Sequence, residues 1–89
     1  MSNPTRQHPL MYGLSNCGWC RKARIWLEEN LGEGHFDLIY VDLVDSVERD
    51  RLMDKLGKLT PRPAFPMILA DGELIVGYDV ERLRKVFKK

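Results

Sequence analysis

The chain's two cysteines, Cys17 and Cys20, are separated only by Gly18 and Trp19, where a short apolar run gives way to a long amphipathic one. The run before them, Leu10-Met11-Tyr12-Gly13-Leu14, is short and bounded by turn formers, so it reads as a buried strand. After them, Cys20, Ala23, Leu27 and Leu31 recur at helical spacing with Trp26 beside them. Arg21, Lys22, Arg24, Glu28 and Glu29 fall largely on the opposite side. A helix over about 18–31 follows, stopped by Gly32 and Gly34. Ser15 or Asn16 is its expected cap. A thiol pair thus sits at a strand-to-helix junction, which commits the chain to packing helices against a sheet.

The downstream pattern agrees. Residues 36–41 read as a second strand, with Phe36, Leu38 and Tyr40 on one face. Residues 45–57 read as a second helix, with Asp45 and Glu48 at capping-box spacing and Gly57 as its stop. Lys58 to Pro66 is a loop holding Pro61, Pro63 and Pro66. Two apolar runs, 67–70 and 73–76, flank Asp71-Gly72, a strong hairpin signal because both residues tolerate positive φ. Asp79 then caps a last helix with Val80, Leu83 and Phe87 as its buried stripe. The order is β-α-β-α-β-β-α. By rule the first crossover is parallel and right-handed, and the last two strands form an antiparallel hairpin.

Length allows one domain over residues 1–89, with 1–9 as a flexible tail. A formal net charge of +1 gives no long-range attraction to nucleic acid or to an acidic membrane. No apolar run approaches the ~20 residues of a membrane span. The polar start of the chain lacks the apolar stretch of a signal peptide, so a cytoplasmic location is expected. Thiols are kept reduced there, which favours an exchanging or metal-binding pair over a permanent staple. Four-ligand zinc would need two more cysteines or histidines. His8 and His35 are far apart in sequence and read as loop residues facing solvent, so no metal site is expected.

The two sulfurs are unequal by position. A thiolate is the attacking species in disulfide exchange. Cys17 precedes the helix and meets the free N–H groups and positive end of its dipole. Cys20 lies one turn inside and should be more buried. Cys17 is therefore the expected nucleophile and Cys20 the resolving thiol. Basic residues crowd the first turns and acids the last, opposite to what the dipole favours, which puts positive charge near Cys17.

Three motifs in this order resemble the glutaredoxins: Cys17-Gly18-Trp19-Cys20 after a short strand, Phe65-Pro66 before the Asp-Gly hairpin, and Gly77-Tyr78-Asp79 opening the last helix. The resemblance spans about Leu10 to Phe87. It implies the thioredoxin-like fold, an α/β architecture with a four-stranded mixed sheet flanked by three helices. It implies that Pro66 is a cis-proline facing the cysteines, with the Phe65 backbone open to an extended thiol substrate. Gly77, Tyr78 and Asp79 match the segment that holds the glutamyl end of glutathione. Trp19 would flank the sulfur, and Arg62, or else Lys58, would meet the other carboxylate. The chain departs from the commonest family pattern at Leu14-Ser15-Asn16, where a lysine is usual, at Ala64-Phe65, and at Val76-Gly77-Tyr78-Asp79.

The implied activity is a thiol–disulfide oxidoreductase that reduces protein or mixed disulfides. Electrons would come from glutathione or from a flavin-dependent thioredoxin reductase. No tightly bound cofactor is expected, glutathione is a possible co-substrate, and the protein is expected to act as a monomer. The alternative implied by the resemblance is a non-enzymatic carrier, in which two chains bridge an iron–sulfur cluster through Cys17 with glutathione as outside ligand.

Overall fold

A computed structural model describes residues 8–89, so most of the expected tail lies outside the described residues. Seven elements follow in the expected order: β1 (Leu10–Gly13), α1 (Gly18–Leu31), β2 (Asp37–Tyr40), α2 (Ser46–Leu59), β3 (Met67–Ala70), β4 (Glu73–Val76) and α3 (Val80–Phe87). They build one four-stranded sheet in the order β2-β1-β3-β4. β1 and β2 are parallel, and the other two pairings are antiparallel.

Strand alternation sorts the side chains into two cores. Met11, Ile68 and Ile75 are aligned across β1, β3 and β4 and face α1 and α3, where Ala23, Trp26, Leu27 and Leu83 meet them. Tyr12 and Met67, also paired across the sheet, point the other way toward Leu52 and Leu56 of α2. A sheet covered on both faces needs strands that are apolar on both faces, which explains the unbroken apolar runs of β1 and β3. Phe65 packs against both cores, where the α2–β3 loop rounds the end of the sheet.

Several boundaries differ from expectation, each for a local reason. β1 ends at Gly13, and β2 is one residue shorter at each end than the apolar run. Helix α2 does not stop at Gly57 but continues to Leu59. Its end is set by Pro61: the residue before a proline is pushed out of the helical region, and Thr60 is extended at φ −149°, ψ 139°. Asp45 does cap α2, its Oδ1 accepting the Glu48 N–H at 2.8 Å. Gly32 ends α1 at φ +96° as expected, and Asp71 and Gly72 take φ +50° and +78° in the hairpin. No helix among the described residues is long and apolar enough to cross a membrane.

Candidate active site

Cys17 is itself the cap of α1, which corrects the expectation of Ser15 or Asn16. Its backbone is extended at φ −124°, ψ 118°, and its Sγ accepts the Cys20 N–H at 3.2 Å. A sulfur in that place meets a helix N-terminus directly, with one N–H aimed at it. Cys17 is half-buried, whereas Cys20 is 2 % exposed, beneath it in the α1 core. Both thiols are free. Burial pushes the Cys20 thiol up to about 11, and its hydrogen bond with Cys17 acts in the same direction. The Leu14 N–H, at 3.5 Å from Cys20 Sγ, opposes that shift. Cys20 therefore holds its proton at neutral pH, and the more accessible sulfur is Cys17. Gly13 lets β1 end against this pair; a Cβ there would touch Cys20 Cβ at 3.4 Å and Sγ at 3.5 Å.

Ser15 is used elsewhere. Its N–H donates to Asp42 Oδ1 at 2.9 Å, and its hydroxyl donates to Asp42 Oδ2. These bonds hold the Asp42 carboxyl below its usual range. They fasten the loop before Cys17 to the loop after β2. Asp42 is the residue sequence reasoning missed. Its separation from Ser15 is 27 residues, the same offset at which β1 and β2 pair (Leu10 with Asp37, Gly13 with Tyr40). Only the parallel register, which no local pattern reveals, brings the two together.

The second wall of the site is built from distant segments. The Phe65–Pro66 peptide is cis, and the Pro66 carbonyl accepts the Gly77 N–H at 2.7 Å. Gly77 takes φ +85°, a conformation that favours glycine. Tyr78 then stacks obliquely on Trp19, ring centres 6.1 Å apart. Trp19 is 59 % exposed, and Lys22 Nζ lies 5.0 Å from its ring centre. Cys17, Phe65 and Tyr78 pack against the same core. Asp79 caps α3, its Oδ1 accepting the Arg82 N–H at 3.1 Å. Arg62 lies on the exposed loop before Pro66, its N–H donating to Thr60 Oγ1 at 3.4 Å.

On the other side of Cys17 lies a cleft of about 330 Å³, floored by Leu14 to Gly18 and walled by Arg21, Arg24 and Tyr40. At the opposite end of the sheet, His8 and His35 line a separate hollow with Asp71 and Phe87, and both histidines are exposed. Among the described residues no three His, Cys, Asp or Glu side chains are grouped to hold a metal ion.

The arrangement has counterparts. The glutaredoxin family model matches residues 10–75. A glutaredoxin-like 8.6 kDa protein of Clostridium pasteurianum, described as uncharacterised and encoded in a rubredoxin operon, is 27% identical over 79 residues. That match covers 89% of this chain and 96% of the relative. The crystal structure of a glutaredoxin from Methanosarcina mazei superimposes with a TM-score of 0.81 at 32% identity, covering 94% of this chain and 81% of that one. Methanoredoxin from Methanosarcina acetivorans superimposes at 0.83 with 30% identity, covering 94% and 87%.

Proposed function

The chain belongs to the glutaredoxin family, and on that premise we propose that it is a dithiol oxidoreductase in which Cys17 attacks and Cys20 resolves. One observation carries the assignment: Cys17 sits at the helix N-terminus within reach of solvent, while Cys20 lies buried beneath it. The Cys17 thiolate attacks one sulfur of a disulfide RS–SR′. A Cys17–S–SR bond forms, and the leaving thiolate R′S⁻ takes up a proton. Cys20 then gives up its proton and attacks Cys17 Sγ. The Cys17–Cys20 bond forms, and RS⁻ leaves as the thiol. The substrate is reduced by two electrons, and the protein is left as its intramolecular disulfide.

Trp19 and Tyr78 supply a flat apolar wall beside the sulfur, and the Phe65–Pro66 and Gly77 segments form the groove in which an extended disulfide substrate lies. The reductant is glutathione or a flavin-dependent thioredoxin reductase. Turnover of a neutral disulfide, bis(2-hydroxyethyl) disulfide, tests the reading with each regenerating system in turn. Cys17→Ser is expected to abolish turnover with both systems. Full activity in that variant would refute the assignment. The system that sustains turnover identifies the electron donor.

A further inference from the structure

The resolving step asks most of Cys20, because a thiolate must form there inside a core, where charge is costly. The buried side chains clustered with Cys20 are all apolar. Cys17 and Tyr78 are the titratable groups packed on that core, and the Asp42 carboxylate acts on the sulfur from the loop after β2. Cys17 stops opposing ionisation once it is held in a mixed disulfide. Burial and the negative charge of Asp42 then remain against the thiolate. In its favour stands the Leu14 N–H, donated to Cys20 Sγ at 3.5 Å. The end of β2 aims that N–H. On one side, the Val41 N–H donates to the Gly13 carbonyl at 2.9 Å. The Gly13–Leu14 peptide is trans and planar, so its N–H points the opposite way from that carbonyl, away from β2 and onto Cys20. Asp42 holds the next peptide, taking the Ser15 N–H at 2.9 Å on one oxygen and the Ser15 hydroxyl on the other. Asp42 therefore acts on Cys20 in two opposed ways. Its charge resists the thiolate, and its grip on Ser15 keeps the loop where the Leu14 N–H meets the sulfur.

We propose that Asp42 is a positioning residue for the resolving step: by clasping Ser15 it holds the Leu14 N–H against Cys20 Sγ, where that N–H stands in for water at the thiolate that displaces the substrate. The inference rests on the disulfide exchange proposed above. Cys20 releases its proton to solvent, and its thiolate attacks Cys17 Sγ. The Cys17–Cys20 bond forms, the bond from Cys17 to the substrate sulfur breaks, and RS⁻ leaves and is protonated. A carboxylate suits the clasp because it only accepts and has two oxygens, one for each Ser15 donor. The positioning outweighs the charge. Asp42 is exposed, so solvent and salt screen its field, whereas the N–H touches the sulfur directly.

Single-turnover kinetics isolate the step. Reduced full-length protein is mixed with bis(2-hydroxyethyl) disulfide and quenched with acid at successive times. Intact mass then counts the mixed disulfide and the intramolecular one. The decay rate of the mixed disulfide, followed as a function of pH, gives the midpoint of Cys20 ionisation in that intermediate. Asp42→Ala removes clasp and charge together, and its midpoint is expected to rise by about one pH unit. That removes about tenfold of the thiolate at neutral pH, and the greater nucleophilicity of a more basic thiolate returns about threefold, so the mixed disulfide should persist about threefold longer. Asp42→Asn removes the charge but keeps an oxygen for the Ser15 N–H and an amide to donate to the Ser15 hydroxyl, so its midpoint should lie at or below that of wild type. Ser15→Ala keeps the charge and loses one leg of the clasp, and its midpoint should move upward like that of Asp42→Ala. A midpoint lowered in both Asp42→Ala and Asp42→Asn would mean that only charge acts, and would overturn the positioning role. Slower decay with an unmoved midpoint in Asp42→Ala would overturn it too, since a loop merely loosened slows the step at every pH alike. If wild type forms neither a mixed disulfide on Cys17 nor the intramolecular bond, the exchange itself is wrong and the role of Asp42 falls with it.

Discussion

At Cys20, burial and an ionisable group are set against each other, and the outcome is measurable. A thiol whose native pKa is raised stabilises the fold fully below its ordinary value and loses that contribution as pH rises through the native one. For Cys20 the window runs from 9.0 to about 11. In reduced protein, the stability advantage of wild type over Cys20→Ala should shrink across that range by on the order of 2 kcal/mol. Urea unfolding of both proteins at several pH values checks this; a constant difference would mean that Cys20 is not desolvated. Tyr12 poses the complementary case. Its hydroxyl is buried without a hydrogen-bond partner among the described residues. A buried polar group left unpaired costs about 1–3 kcal/mol. Tyr12→Phe should therefore raise the melting temperature or leave it unchanged, and a clear fall would show that the hydroxyl has a partner.

At the level of elements, the site depends on where strands and helices end. Apolar alternation, the Asp45 and Asp79 caps and the Asp71-Gly72 turn were legible because each signal lies within four residues of what it controls. The end of α2 was misjudged because Gly57 is a local stop signal, whereas Pro61 acts on the residue before it. Gly57 is exposed, has ordinary helical φ, and has open space where a Cβ would stand. Gly57→Ala should therefore stabilise the protein by about 0.5–1 kcal/mol, since alanine loses less backbone freedom on folding. Thermal unfolding reads this as a rise of a few degrees, and a fall would contradict the open space. The Ser15–Asp42 clasp was illegible for the opposite reason, since it needs the β1–β2 register. Its carboxyl is held below the usual range, so its contribution is present above that range and lost as pH falls through the native value. Asp42→Asn should remove this acid-dependent part. Hydrogen exchange at the Ser15 amide, compared at pH 6 and pH 3, should lose its pH-dependent protection in the variant beyond the intrinsic chemistry of exchange. Protection that follows pH identically in both proteins would refute the clasp.

For the whole molecule, the sheet's topology does the functional assembly. Placing β1 between β2 and β3 puts the end of one strand, the start of α1 and the Phe65–Pro66 turn at one rim. Residues 17, 65 and 78 then pack against one core although long stretches of chain separate them. The two-cysteine motif and its asymmetry were readable in the sequence because they follow from position on a single helix. What Lys22 and Arg24 engage was not, since each is fixed by what lies opposite: an indole ring and Glu28. Arg62, expected from resemblance to meet a carboxylate, lies on an exposed loop. The division of labour between the two sulfurs is tested most directly by intact-mass analysis after brief exposure of the reduced protein to bis(2-hydroxyethyl) disulfide. Wild type should lose two hydrogens and carry no adduct, Cys20→Ser should accumulate one mixed disulfide, and Cys17→Ser should remain unmodified. A stable adduct on Cys17→Ser, with none on Cys20→Ser, would contradict the account.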